Sequence, residues 1–182
     1  MIEQLKDKLS FFGTVKLITE EEFSKEAHKE DCYVFSGSPR TLSEFSEEVR
    51  KNIITPMKEC ISLNKPILGI CHGHQILGMA FGSKISKGEL KLGNEEIKII
   101  RKKDLFNKIK NNSTFQEAHS EEITLPKEFV LLAKSKRCEV EAIKHKTKPF
   151  FGVQFHPELS GKVGQKTFEN FFHLVNEHKG IK

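Results

Sequence analysis

Apolar positions along the chain change period several times, and the changes mark its elements. Ile2, Leu5, Leu9 and Phe12 recur at helical spacing and Gly13 follows, so residues 2–12 read as an amphipathic helix with a glycine stop. Thr14-Val-Lys-Leu-Ile18 reads as a short strand, and residues 19–29 as a polar, acidic connection. Cys32–Phe35 reads as a buried strand that ends in Ser36-Gly37-Ser38-Pro39, a tight-turn composition. Leu42, Phe45, Val49, Ile53 and Met57 mark a second helix with a Ser or Thr N-cap, and Pro56 is expected to kink or end it. Pro66–Ile70 is a continuous apolar run, as in a strand covered on both faces. Residues 75–81 form a short helix closed by Gly82.

The second half changes character. Short strands are expected at 96–100, 114–118, 129–134, 140–145 and 150–155, with a helical turn at 105–109. A last amphipathic helix carries Val163, Phe168, Phe171, Phe172 and Val175. Strand–helix alternation in the first half predicts a parallel α/β sheet, and the later strands a mixed or antiparallel extension of it. No repeat or flexible linker interrupts the 182 residues, so 1–182 reads as one domain.

Composition narrows the function classes. No apolar run approaches the ~20 residues of a membrane span, and the start lacks a signal-peptide pattern. The net charge is only +5, and Arg101-Lys102-Lys103 is closed at once by Asp104. With no Trp and one Tyr, the chain lacks the basic, aromatic stripe of a nucleic-acid binder. The four cysteines form no C-x-x-C pair, and a reducing, cytoplasmic setting is expected. Cys32, Cys60 and Cys138 lie in apolar stretches and read as small buried hydrophobes.

Cys71 stands apart. It follows the buried strand at the point where a helix opens, flanked by Gly69 and Gly73. A strand-to-helix turn exposes its central side chain at the sheet edge, as in G-x-S-x-G nucleophiles. The helix start offers unpaired N–H groups and a positive dipole, which favour thiolate over thiol. The candidate base is His156, which ends another apolar strand, with Glu158 two residues on to orient its ring. A metal reading of Cys71-His72-x-His74 lacks a second spaced ligand pair. His72 and His74 read as exposed or structural.

These strings resemble a known family. Residues 66–78, PILGICHGHQILG, resemble the nucleophile motif of class I glutamine amidotransferases, and 152–158, GVQFHPE, their His-Glu motif. Phe35-Ser-Gly-Ser-Pro39 is similar to their oxyanion loop. Ala118-His-Ser-Glu-Glu-Ile123 and Cys138-Glu-Val-Glu-Ala-Ile-Lys-His145 are similar to the separate glutaminase subunit of archaeal-type GMP synthase. The resemblance implies a three-layer, mostly parallel open sheet of flavodoxin or Rossmann type. It implies that Cys71 attacks the glutamine amide with His156 as base and Glu158 behind it. The oxyanion would be held by the backbone amides of Ser38 and His72. Gly37 and Gln75 would help hold substrate, and His119, Ser120 and Glu121 would hold its amino-acid end through backbone groups. No cofactor or metal is implied. The partner implied is an ATP-dependent synthetase subunit that converts XMP to GMP, and the chain lacks a G-x-x-x-x-G-K-[ST] loop of its own. Alternatives are a binding or regulatory protein of this kind with impaired glutaminase activity, or the glutaminase of another synthetase such as anthranilate synthase.

Three departures from the family pattern matter. His72 stands where the family often carries an apolar or aromatic residue, and only its backbone would be needed for the oxyanion. Ser38 stands where the loop's second glycine is usual, which would strain a left-handed backbone. The chain also begins directly with the helix, without the family's first strand. That predicts a gap between residues 15–18 and 32–35. A truncated start, a sheet rearranged to close the gap, and lost activity are the competing explanations. An edge left open would be prone to pair with another chain.

Overall fold

The computed structural model describes residues 2–19, 22, 23 and 29–181. Its elements in chain order are α1 (Ile2–Ser10), β1 (Tyr33–Phe35), α2 (Glu47–Ser62), β2 (Ile67–Ile70), α3 (His72–Ala80) and β3 (Ile85–Ile99). Then follow β4 (Ser113–Ile123), β5 (Phe129–Lys134), β6 (Ala142–His145), β7 (Phe150–Val153) and α4 (Gly161–His178). Single 3-10 turns lie at Leu42–Glu44, Asp104–Phe106 and Pro157–Leu159. The strands form one sheet in the order β1-β2-β7-β6-β5-β3-β4. β1, β2 and β7 run parallel. The pairs from β7 outward to β4 are antiparallel, so the second half of the chain extends the sheet as anticipated.

Alternation along the central strands assigns the layers. Leu68 and Ile70 of β2 and Phe151 and Val153 of β7 meet Leu5 and Leu9 of α1 and Phe168 and Phe171 of α4. Ile67 and Phe150 face the other way, towards Ile53 and Met57 of α2 and Ile76 and Leu77 of α3. All eight residues of β2 and β7 are buried, which explains why both strands read as unbroken apolar runs. Ser46 caps α2 by accepting the Val49 N–H at 3.3 Å.

Three expectations need correction. Residues 14–18 carry no strand and join no ladder: among the described residues the sheet ends at β1 and no strand lies beside them. The sheet therefore does not rearrange to close the anticipated gap. Pro56 does not end α2, which continues to Ser62. The carbonyl left without its helical donor belongs to Asn52, which is exposed and has water available, while Met57 and Cys60 anchor the last turns in the core. β3 runs for 15 residues rather than five. Its first part is polar and exposed and is held by pairing with β4, so apolar periodicity does not mark it. Most of the 19–29 connection lies outside the described residues.

Candidate active site

The sequence folds locally to lift Cys71 out of the sheet. Its backbone has φ 50° and ψ −104°, a conformation that non-glycine residues rarely adopt and that costs about 1–3 kcal/mol. Neighbouring glycines permit it. Gly69 and Gly152 stand opposite each other in the β2–β7 register, on the face that α3 covers. A Cβ on Gly69 would lie 2.5 Å from the Gly73 carbonyl oxygen, and one on Gly152 2.5 Å from His74 Nδ1. The bare pair is the trough into which the first turn of α3 descends. Gly73 presses on the Phe35 carbonyl oxygen, where a Cβ would stand at 2.2 Å. That contact sets the end of β1, and hence the 36–38 loop, beside Cys71.

His156 arrives from the end of β7. Its N–H donates to the Gln116 carbonyl at 2.8 Å, an isolated bridge that ties it to the outer strand β4. Its Nδ1 lies 2.8 Å from Glu158 Oε1, with both side chains buried. Burial alone would lower the imidazole pKa. Hydrogen bonds to Cys71 and Glu158, and their negative charge, outweigh it and push the pKa up to about 10. The arrangement favours an imidazolium facing a thiolate, with the Glu158 carboxylate behind. Cys71 Sγ also lies 3.8 Å from the Ala118 carbonyl oxygen, so β4 lines the site on a second side.

The loop after β1 sits against both groups. A Cβ on Gly37 would lie 2.8 Å from His156 Cε1 and 3.6 Å from Cys71 Cβ. Ser38 is not among the positive-φ residues, so serine is accommodated there without the anticipated strain. Its hydroxyl accepts the Arg40 N–H at 3.2 Å and stiffens the turn. His72 follows Cys71 at the start of α3, where the helix itself offers no acceptor for its N–H.

Other expected residues are placed in the scaffold by their side chains. Gln75 is buried, and its amide nitrogen donates to the Glu121 carbonyl at 3.0 Å and towards Gln154 Oε1 at 3.3 Å. Its side-chain nitrogen is thus held by the protein rather than offered to substrate. His119 points into the core, with Nδ1 3.0 Å from the Glu121 carbonyl oxygen and Nε2 3.1 Å from Glu117 Oε2. Burial lowers its pKa. Glu121 accepts the N–H groups of Leu42 and Ser43, both at 2.7 Å. Ser120 has no register partner on β3, because an irregularity between Lys87 and Lys91 loops out opposite it. Backbone rather than side chains is therefore what this stretch can offer a ligand. His72 and His74 are buried, not exposed, and burial lowers the His74 pKa to about 3, so it packs as a neutral ring.

A buried carboxyl pair escapes the sequence reading. Glu117 and Glu141 interact inside the protein, and burial pushes the pKa of both up. Burial of the pair favours a protonated carboxyl over a charged one. The signal was present: Phe115, Glu117, His119, Glu121 and Ile123 share the parity of one buried face of β4.

Comparison with known proteins follows the geometry. The sequence profile of glutamine amidotransferase class-I matches residues 3–175. The chain belongs to this family. The glutamine-hydrolyzing GMP synthase subunit of Thermococcus kodakarensis is 36% identical over 156 residues, covering 83% of this chain and 79% of that protein. Its counterpart from Pyrococcus furiosus is 37% identical over 154 residues, with the same coverage. A crystal structure assigned to a GMP synthase subunit from Thermoplasma acidophilum superposes with a TM-score of 0.88 at 27% identity, covering 98% of this chain and 90% of that one. A glutamine amidotransferase from Thermotoga maritima, at 18% identity and a TM-score of 0.66, covers 100% of this chain and 80% of its own and shares the fold. No helix among the described residues of this amidotransferase is long and apolar enough to cross a membrane.

Proposed function

We propose that residues 1–182 form one glutaminase domain, the glutamine-hydrolysing subunit of a GMP synthase, with Cys71, His156 and Glu158 as its catalytic triad. One observation carries the reading. A cysteine strained at a helix start faces a buried histidine whose far nitrogen is held 2.8 Å from a carboxylate. The thiolate attacks the side-chain carbonyl carbon of glutamine, and the oxyanion takes the Ser38 and His72 amides. Imidazolium His156 gives its proton to the departing amine, which leaves as ammonia and a γ-glutamyl thioester. Neutral His156 then takes a proton from water, the hydroxide displaces the thioester, and glutamate leaves. Thiolate and imidazolium are restored.

We infer that the ammonia passes to a separate ATP-dependent subunit that aminates XMP in the cytoplasm; that the relatives are named as a glutamine-hydrolyzing subunit of GMP synthase supports a separate partner. The test is glutamate release from glutamine, with and without that synthetase. Cys71→Ala should lower turnover about 10⁴-fold or more, and the synthetase should stimulate the unaltered chain. Release that survives Cys71→Ala, or none with the synthetase present, sinks the reading. Partner binding without turnover in the unaltered chain would favour the regulatory alternative.

A further inference from the structure

His156 and the outer strand β4 belong to a circuit of hydrogen bonds in which one link is open. The His156 N–H donates to the Gln116 carbonyl of β4 at 2.8 Å. Two residues before His156, the Gln154 N–H donates to the Glu141 carbonyl, also at 2.8 Å. The side chains of Glu141 and of Glu117, the neighbour of Gln116, interact and would close the circuit. Yet all four of their carboxyl oxygens are buried without a hydrogen-bond partner in the protein. Glu117 is 2% exposed and Glu141 0%. His119, 5% exposed, aims at the same place: its Nε2 lies 3.1 Å from Glu117 Oε2 and forms no hydrogen bond there. The side-chain nitrogen of Gln154 is likewise buried and unpartnered.

Buried polar groups in native proteins are nearly always satisfied, so these atoms imply a partner. Lys91 shares the face of His119, its register partner, but is engaged by Glu122. Among the described residues no group of three His, Cys, Asp or Glu side chains is placed to hold a metal ion. A buried water requires two to four polar partners, roughly, and Glu117, Glu141 and His119 offer them. We propose that ordered water bridges Glu117 and Glu141, with His119 as a further partner, and that this wet link makes both glutamates positioning residues for Cys71 and His156. β4 presents the Gln116 carbonyl to His156 and the Ala118 carbonyl to Cys71, 3.8 Å from Sγ, so the stretch that Glu117 anchors touches both. Glu141 holds the strand end that delivers His156. Tying one to the other fixes where the imidazole stands relative to the sulfur. The inference rests on Cys71 and His156 being the catalytic pair of the proposed function.

A crystal structure of the unaltered chain decides the water. It should show one within hydrogen-bond distance of both carboxyls; carboxyls in direct contact, with no water between them, would overturn the proposal. Glu141→Leu keeps much of the volume and removes the polar partner. It should lower kcat by up to about 10²-fold at little-changed KM, the effect of a small misplacement. Alkylation of Cys71 by iodoacetamide at neutral pH should slow about tenfold, because less thiolate faces an imidazolium. Glu141→Gln can still bind water and should restore most of both. If the leucine variant does not fold, Glu117→Met takes its place in the same assays. A folded variant that has lost the water but alkylates and turns over as the unaltered chain does would also overturn the proposal, as would a glutamine variant no better than the leucine one. Alkylation needs no turnover of glutamine. An unaltered chain that releases no glutamate with its synthetase therefore ends the glutaminase reading alone, and the water and the alkylation rates still judge the link.

Discussion

Glu121 is the place where a small chemical change tests the logic of the site most directly. Its carboxylate is buried and accepts two backbone N–H groups at 2.7 Å, from residues 79 and 78 positions away. Those N–H groups open the Leu42–Glu44 turn, four residues beyond Ser38. The loop that carries Ser38 is thus pinned at one end by β1 and at the other by Glu121. Glu121→Gln keeps the shape but leaves one acceptor oxygen for two donors. One charge-assisted bond is lost, worth about 1.5–3 kcal/mol, and an amide group then faces an orphaned N–H. A total near 3 kcal/mol is expected, which for a chain of this size lowers Tm by about 6–12 °C. Part of that loosening reaches Ser38, so kcat should fall with little change in KM, by at most the 10²–10³ of a lost oxyanion donor, roughly. Thermal denaturation and steady-state glutaminase assays at a temperature where the variant stays folded separate the two effects. Glu121→Asp should recover part of both. A Glu121→Gln protein with unchanged Tm and unchanged kcat would falsify the claim that this carboxylate positions the loop.

Other perturbations give distinct readouts. Glu158→Gln removes a charge that raises the His156 pKa, so the alkaline limb of the kcat/KM profile, expected near pH 10, should move down; a limb that stays in place counts against the ion pair. Glu141 has a raised pKa in the folded state, so the fold binds more protons than the unfolded chain. Stability is therefore greatest below the ordinary carboxylate value and falls as pH rises through about 4.5 to 9. Glu141→Gln should flatten that slope, read as Tm against pH; an unaltered slope contradicts the raised Glu141 carboxyl. Gly73→Ala forces a Cβ to 2.2 Å from the Phe35 carbonyl and should destabilise by about 3 kcal/mol or more, while Gly13→Ala meets nothing within 4 Å and should be near neutral. Equal denaturation midpoints for the two alanine variants would refute the close approach of α3 to β1.

Much of the site was legible because its chemistry sits at strand ends, where apolar runs stop abruptly. Ile70 before Cys71 and Phe155 before His156 mark such stops, and the glycines at 69, 73 and 152 announce close backbone contact. The parallel strands β1, β2 and β7 at one side of the sheet followed from their apolar runs. The 14–18 segment misled, since alternation in sequence reports a wish to pair and not the presence of a neighbour. The exposed arm of β3 carries no apolar code, because its stability comes from ladder bonds with β4. Glu117 and Glu141 were missed because carboxylates are assigned to solvent by default, although Glu117 lies in phase with Phe115 and Ile123.

β4 meets the two loops and Cys71 from the far edge of the sheet, through Glu121, Ala118 and Gln116. These contacts join parts of the chain separated by 40 to 79 positions. In folding, such closures come late, because long loops must be gathered before any bond rewards them. Reactivity should therefore appear last. A newly made chain carries Cys71 as an ordinary thiol, and its alkylation rate during refolding should rise only as the β4 amides become protected.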